Sequence, residues 1–179
     1  MSLTINHQTN DISATGSGSV TIDGSAIGGG GGAWNLISTT TVSSAVTSVD
    51  FTSISGYKTY ALDIRLSFNY GSLNMRFGTN GSYDSGSNYE GATGVSLNSS
   101  GYKYGVIGIV YIRDLERATT TNFRRASIMA DVLRLGSSSV SAATVNSAYY
   151  GNAGANCITL ISETNKIVEG TVSLYGLSS

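Results

Sequence analysis

Residues 58–70 read KTYALDIRLSFNY, an alternation of apolar and polar side chains. Tyr60, Leu62, Ile64, Leu66 and Phe68 fall on one side, and Thr59, Asp63, Arg65, Ser67 and Asn69 on the other. A period of two over this length is that of a β-strand with one buried face. After the short connection Tyr70-Gly71-Ser72, the residues Leu73, Met75 and Phe77 repeat the pattern, which predicts a hairpin. Outward from this pair, further strands are expected at Trp34–Val42, Val46–Phe51, Tyr104–Arg113, Phe123–Leu135, Ser141–Tyr149, Cys157–Ser162 and Ile167–Tyr175.

Val106 to Ile112 is apolar on both faces, as befits a central strand or one whose outer face meets another subunit. Asp114 to Thr120 is the one briefly helical stretch and reads better as a long hairpin turn. The region from Asn80 to Gly101 is poor in aliphatics and reads as a long excursion of the kind that often carries function. Many strands separated by Gly, Ser and Asn turns predict an all-β fold. The expected architecture is an antiparallel β-sandwich over residues 34–179, with jelly roll the leading topology.

Composition agrees with that class. The 179-residue chain contains no proline, which is compatible with extensive ladder pairing, and its 23 glycines must supply most of the turns. Charged residues make up 12% and the formal net charge is −1. That balance argues against a nucleic-acid-binding surface and leaves no polybasic patch for anionic membranes. No apolar run approaches a bilayer span, and no charged region followed by an apolar core marks a signal peptide. Cys157 is the only cysteine, so no intrachain disulfide exists. It reads as a small buried residue of its strand, with an interchain bridge or reactive thiol as alternatives.

The first part of the chain differs. Residues 1–27 carry scattered aliphatics, Leu3, Ile5, Ile12, Val20 and Ile22 among them, at a spacing that suits neither a long helix nor a full strand. Only Ser19 to Asp23 could pair as a short strand. Such a segment buries too little apolar surface to order alone and is expected to be an extended attachment arm, ordered by a partner. Residues 28–33, opened by the run Gly28 to Gly32, read as a flexible hinge.

Reaction chemistry has few parts. His7 is the sole histidine and lies in the arm, where no nucleophile and orienting acid can hold it. Ser55-Gly56-Tyr57-Lys58 has S-x-x-K spacing without the partner motifs. Gly28 to Ala33 fits G-x-G-x-x-A only because any glycine run does. Asn80, Asp84 and Asn88 lack the regular spacing of a calcium loop. No catalytic residue, metal or cofactor is expected. Two constellations remain. Tyr83, Tyr89, Tyr102 and Tyr104 surround the long excursion and suit either a ligand loop, such as one for sugars, or packing at the sandwich end or between subunits. Arg113, Asp114, Glu116, Arg117, Arg124 and Arg125 concentrate mixed charge, either as an exposed turn with internal ion pairs or as an inter-subunit contact.

Several stretches resemble small β-sandwich modules in virion proteins of tailed bacteriophages. Trp34-Asn35-Leu36-Ile37-Ser38 through Phe51 and Ile54-Ser55-Gly56-Tyr57-Lys58-Thr59-Tyr60 look like their opening, and Glu169 to Leu177 is similar to their final strand. Leu73 to Tyr83 resembles their strand-plus-loop, with Asn80-Gly81-Ser82 in place of a glycine pair. Leu3 to Ile12 and Val20 to Gly24 look like phage attachment segments. The resemblance implies a non-enzymatic virion structural protein, often a homotrimer. The start at Met1 and the short length favour a head decoration (cement) protein docking on the major capsid protein. A tail-fibre or receptor-binding module contacting host glycans is the alternative.

Overall fold

The computed structural model describes residues 2–6, 11–15, 21–22, 25–26, 34–69, 71–86, 88–90, 94–98, 104–116, 126–151, 154–162 and 167–177. The chain divides into two units, residues 1–33 and 34–179. In the first, β1 (Ser2–Asn6) pairs antiparallel with β2 (Asp11–Thr15), and β3 (Thr21–Ile22) with β4 (Ser25–Ala26). This corrects the expectation of an arm without full strands. Register sets Leu3 opposite Ala14 and Ile5 opposite Ile12, so these scattered aliphatics are brought together by pairing between two short strands rather than by a period along one segment. The expected strand near Ser19 to Asp23 is the two-residue β3 among the described residues. Two-stranded ribbons are marginal alone. Val20, His7 and the glycine run lie outside the described residues.

The second unit is a two-sheet antiparallel sandwich. Its strands are β5 (Trp34–Val42), β6 (Ser48–Phe51), β7 (Thr59–Phe68), β8 (Leu73–Thr79), β9 (Ser82–Tyr83), β10 (Val95–Ser96), β11 (Gly105–Arg113), β12 (Ala126–Leu135), β13 (Val140–Tyr149), β14 (Cys157–Ser162) and β15 (Ile167–Leu177). One sheet has six strands in the order β13-β12-β11-β7-β15-β5. The other has the order β10-β8-β14-β6, with β9 on β8. The sandwich is what this order shows; jelly roll is a narrower expectation that the order does not by itself carry.

The core lies between the sheets. Tyr60, Leu62, Ile64, Leu66 and Phe68 of β7 are all buried, together with Val110 and Ile112 of β11, Ile128 of β12 and Leu174 of β15. They meet Phe51, Leu73, Met75, Phe77, Ile158 and Leu160 of the smaller sheet. Cys157 is buried in β14 and its Sγ accepts a hydrogen bond from the Gly81 N–H at 3.1 Å. Gly170, at φ +131°, follows the register shift of β15 against β7 between Ile167 and Glu169 and pairs with Leu66. A Cβ there would stand 2.0 Å from the Arg65 carbonyl oxygen, so only glycine allows the two strands their approach.

The predicted hairpin between residues 58–70 and 73–77 does not form: β7 and β8 belong to different sheets. Both strands are apolar on one face, and the chain between them crosses the sandwich so that both faces reach the same core. Asn98 pins this crossing. Its Oδ1 accepts from the Leu73 N–H at 2.8 Å and its Nδ2 donates to the Gly71 carbonyl at 2.7 Å, in a buried setting. The Asn80–Gly101 excursion likewise holds more structure than its composition suggests, with β9, β10 and the buried Tyr89, Val95 and Leu97. Replacing Asn98 with Leu strands two buried backbone groups, each worth about 1–3 kcal/mol. Denaturant unfolding of Asn98→Leu is expected to show a loss of about 2–4 kcal/mol at unchanged m-value. An unaltered midpoint would show that the crossing does not need this side chain.

Candidate functional site: an aromatic groove on the outer sheet face

The outer face of the six-stranded sheet follows from the same alternation that fills the core. Across strands β15, β7, β11, β12 and β13 the outward positions form rows. One runs Tyr175, Ala61, Tyr111, Met129, Asn146; the next runs Ser173, Asp63, Ile109, Asp131, Thr144; a third runs Thr171, Arg65, Ile107, Leu133, Ala142. Ile107, Ile109, Met129 and Leu133 are each more than 40% exposed, and Val140 on edge strand β13 is 62% exposed. The doubly apolar stretch Val106–Ile112 is therefore a central strand whose second face lies open in this chain.

At one end of this face the rows form a groove of about 390 Å³ lined by Trp34, Ala61, Asp63, Arg65, Ile109, Tyr111 and Tyr175. Its shape has a local cause. Ala61 stands between Tyr175 and Tyr111 on neighbouring strands, and its single methyl leaves a trough between two phenol rings. Strand spacing sets those two positions about 10 Å apart. Trp34, the first residue of edge strand β5, extends over β15 and β7 until its ring centroid lies 6.1 Å from that of Tyr111, tilted by 45°. Two residues along β7 from Ala61, Asp63 contacts Arg65 at 3.4 Å, with side chains 35% and 67% exposed. A contact that long between hydrated groups is weak, so both side chains keep capacity for other partners.

The residues singled out from the sequence fall elsewhere. Tyr89 is 2% exposed and belongs to the core. Its ring stacks with Phe77 at a centroid separation of 6.2 Å and packs tilted against Tyr149 at 5.0 Å. Its hydroxyl accepts from the Phe77 N–H at 2.8 Å and donates to the Asp84 carbonyl at 3.1 Å. Tyr83 is half-buried, whereas Tyr104 is exposed and joins through its backbone to Phe68 and Leu135. Tyr102 lies outside the described residues. Among the described residues, Tyr83, Tyr89 and Tyr104 therefore do not share one exposed platform. The Asp84 carboxylate is filled by hydrogen-bond donors, the Gly86 N–H at 2.8 Å, the Asn88 amide at 2.6 Å and the Tyr149 hydroxyl at 3.3 Å.

In the charged constellation, Glu116 closes an end of the sandwich: its carboxylate accepts from the Tyr60 hydroxyl and from the Gly56 N–H at 3.2 Å. Arg113 is exposed at the end of β11, and Asp114 adopts a left-handed φ of 59° in the turn that follows. Arg117, Arg124 and Arg125 lie outside the described residues. The groove residues Trp34, Tyr111 and Tyr175 were not singled out from the sequence. Their signal was present, since each occupies an outward position of an alternating strand, but only register brings them to one place. Among known proteins, no family model matches the chain and no curated sequence matches it significantly.

Burial pushes the hydroxyls of Tyr60, Tyr83 and Tyr89 above the ordinary tyrosine value; nearby Glu116 adds to the effect at Tyr60 and Asp50 at Tyr83. An unfolded tyrosine releases its proton near pH 10, while these retain theirs in the folded state. Above about pH 10 the unfolded chain therefore binds fewer protons than the folded one, so stability is full below about pH 10 and falls as pH rises. Urea unfolding from pH 8 to 11.5 is expected to show this decline, with a shallower slope in Tyr89→Phe. Equal slopes in the two proteins would remove Tyr89 from the account.

Proposed function

We propose that the chain is a non-enzymatic structural protein of a tailed-bacteriophage virion, a head decoration protein that docks on the capsid lattice and opposes its expansion. The observation that carries the reading is the open apolar sheet face, with Ile107, Leu133 and Val140 at the end away from the Trp34 groove. Monomeric proteins rarely leave contiguous apolar surface of this kind in water, and assembly would cover it. Neighbouring copies in a homotrimer are its proposed occupants.

Two further features support the reading. The division into residues 1–33 and 34–179 suits an attachment segment followed by a rigid body. The core cluster of the sandwich spans positions from Val42 to Leu174, all within the second unit. The sequence resemblance to virion modules supplies the setting. Stabilisation would come from binding the assembled lattice alone, by mass action.

Gold-labelled antibody against residues 34–179, applied to purified particles, is expected to decorate heads at many copies per particle. Label confined to the tail would select the tail-fibre or receptor-binding reading, and unlabelled particles would end the virion proposal. Deleting residues 1–27 is expected to leave the unfolding midpoint of the sandwich nearly unchanged while abolishing incorporation; an armless protein that still decorates would remove the arm from attachment. The double change Ile107→Asp and Leu133→Asp, both at exposed positions, should reduce the trimer to monomer in sedimentation velocity. A wild-type chain that is monomeric at all concentrations would overturn the trimer.

A further inference from the structure

The Trp34 groove differs in kind from the aliphatic end of the same face. It combines flat aromatic surfaces with a planar carboxylate and a planar guanidinium at one margin. Aromatic faces accept the C–H face of a pyranose ring, and carboxylate and guanidinium groups match pairs of adjacent hydroxyls with acceptors and donors. We propose that Trp34, Tyr111 and Tyr175, with Asp63 and Arg65, form a saccharide-binding site.

Charge narrows the ligand. Asp63 and Arg65 carry opposite charges and cancel locally, so the groove favours a neutral sugar over an anionic or cationic one. Shape narrows it further. The trough floored by Ala61 lies on an open sheet face and crosses strands, with Tyr111 and Tyr175 two strand spacings apart. Such a site holds consecutive rings within a chain rather than enclosing a terminal unit. Its volume, about 390 Å³, lies within the range of small-ligand sites. The polar pair also sets this end apart from a surface made for another copy of the protein, whose core would be expected to exclude charge. The site does not rest on the virion reading and can hold or fail separately from it.

The chain has a single tryptophan, so its emission reports on this groove alone. The full chain would be titrated with cello-, malto-, xylo- and chitohexaose while Trp34 fluorescence is followed. At least one is expected to give a saturable change, with a dissociation constant on the order of 0.1–1 mM. Tyr111→Ala and Asp63→Asn should each weaken that binding about tenfold, corresponding to 1.4 kcal/mol. Leu133→Ser, at the other end of the face, should leave it unaltered. No response to any hexaose would overturn the proposal, as would a response that survives both groove substitutions. Emission that shifts with protein concentration alone, and is blind to sugar, would show that a second copy occupies the groove instead.

Discussion

The burial of one face of β7 is the constraint on which the rest of this structure depends. Leu62 and Ile64 are fully enclosed at the middle of the six-stranded sheet, and each neighbour of β7 repeats its alternation in register. A shift of one residue would turn every such side chain into water, so the pairing of β11 and β15 with β7 has one acceptable solution. The same constraint decides what lies outside. Once Val110 and Ile112 face inward, Ile109 and Tyr111 must face outward, whatever their hydropathy. The exposed apolar face is thus a direct counterpart of the core, and it persists because the strand carries apolar residues at both parities.

Much of the sandwich was legible because its strands are long and half-buried. Trp34–Val42 and Cys157–Ser162 have the expected boundaries, and most others differ by a few residues. What the sequence hid was non-local. Whether β7 and β8 pair or separate depends on which sheet each joins, and alternation is silent on that. The residue that holds the crossing, Asn98, lies 25 positions from Leu73, within a stretch that reads as loop. The two-residue strands β9 and β10 are too short to leave a period. In the first unit Ile5 and Ile12 lie on two separate short strands, so their pairing could not be seen along either segment alone.

The candidate site was hidden for a related reason. A cluster of tyrosines near one another in sequence drew attention to the excursion, yet Tyr89 was needed for the core, where its hydroxyl satisfies the backbone of Phe77. The aromatic residues that do converge come from positions 34, 111 and 175, and a small residue between them, Ala61, is as necessary as the rings. Local density of a residue type is a poor guide where the fold is built from long-range pairs. The informative signal was instead a strand with too many apolar residues for one face.

Trp34 pairs with Leu177, so the sandwich receives and releases its chain at the same corner of the sheet, on adjacent strands. That placement has a mechanical meaning. A pull between the two ends would open the Trp34–Leu177 rung first and then peel β5 from β15 rung by rung, an unzipping geometry in which the load falls on one hydrogen-bonded pair at a time. Shear, which loads a whole ladder at once, would require the ends to lie at opposite poles. Any molecule seated against the Trp34 indole would therefore brace the rung that otherwise yields first.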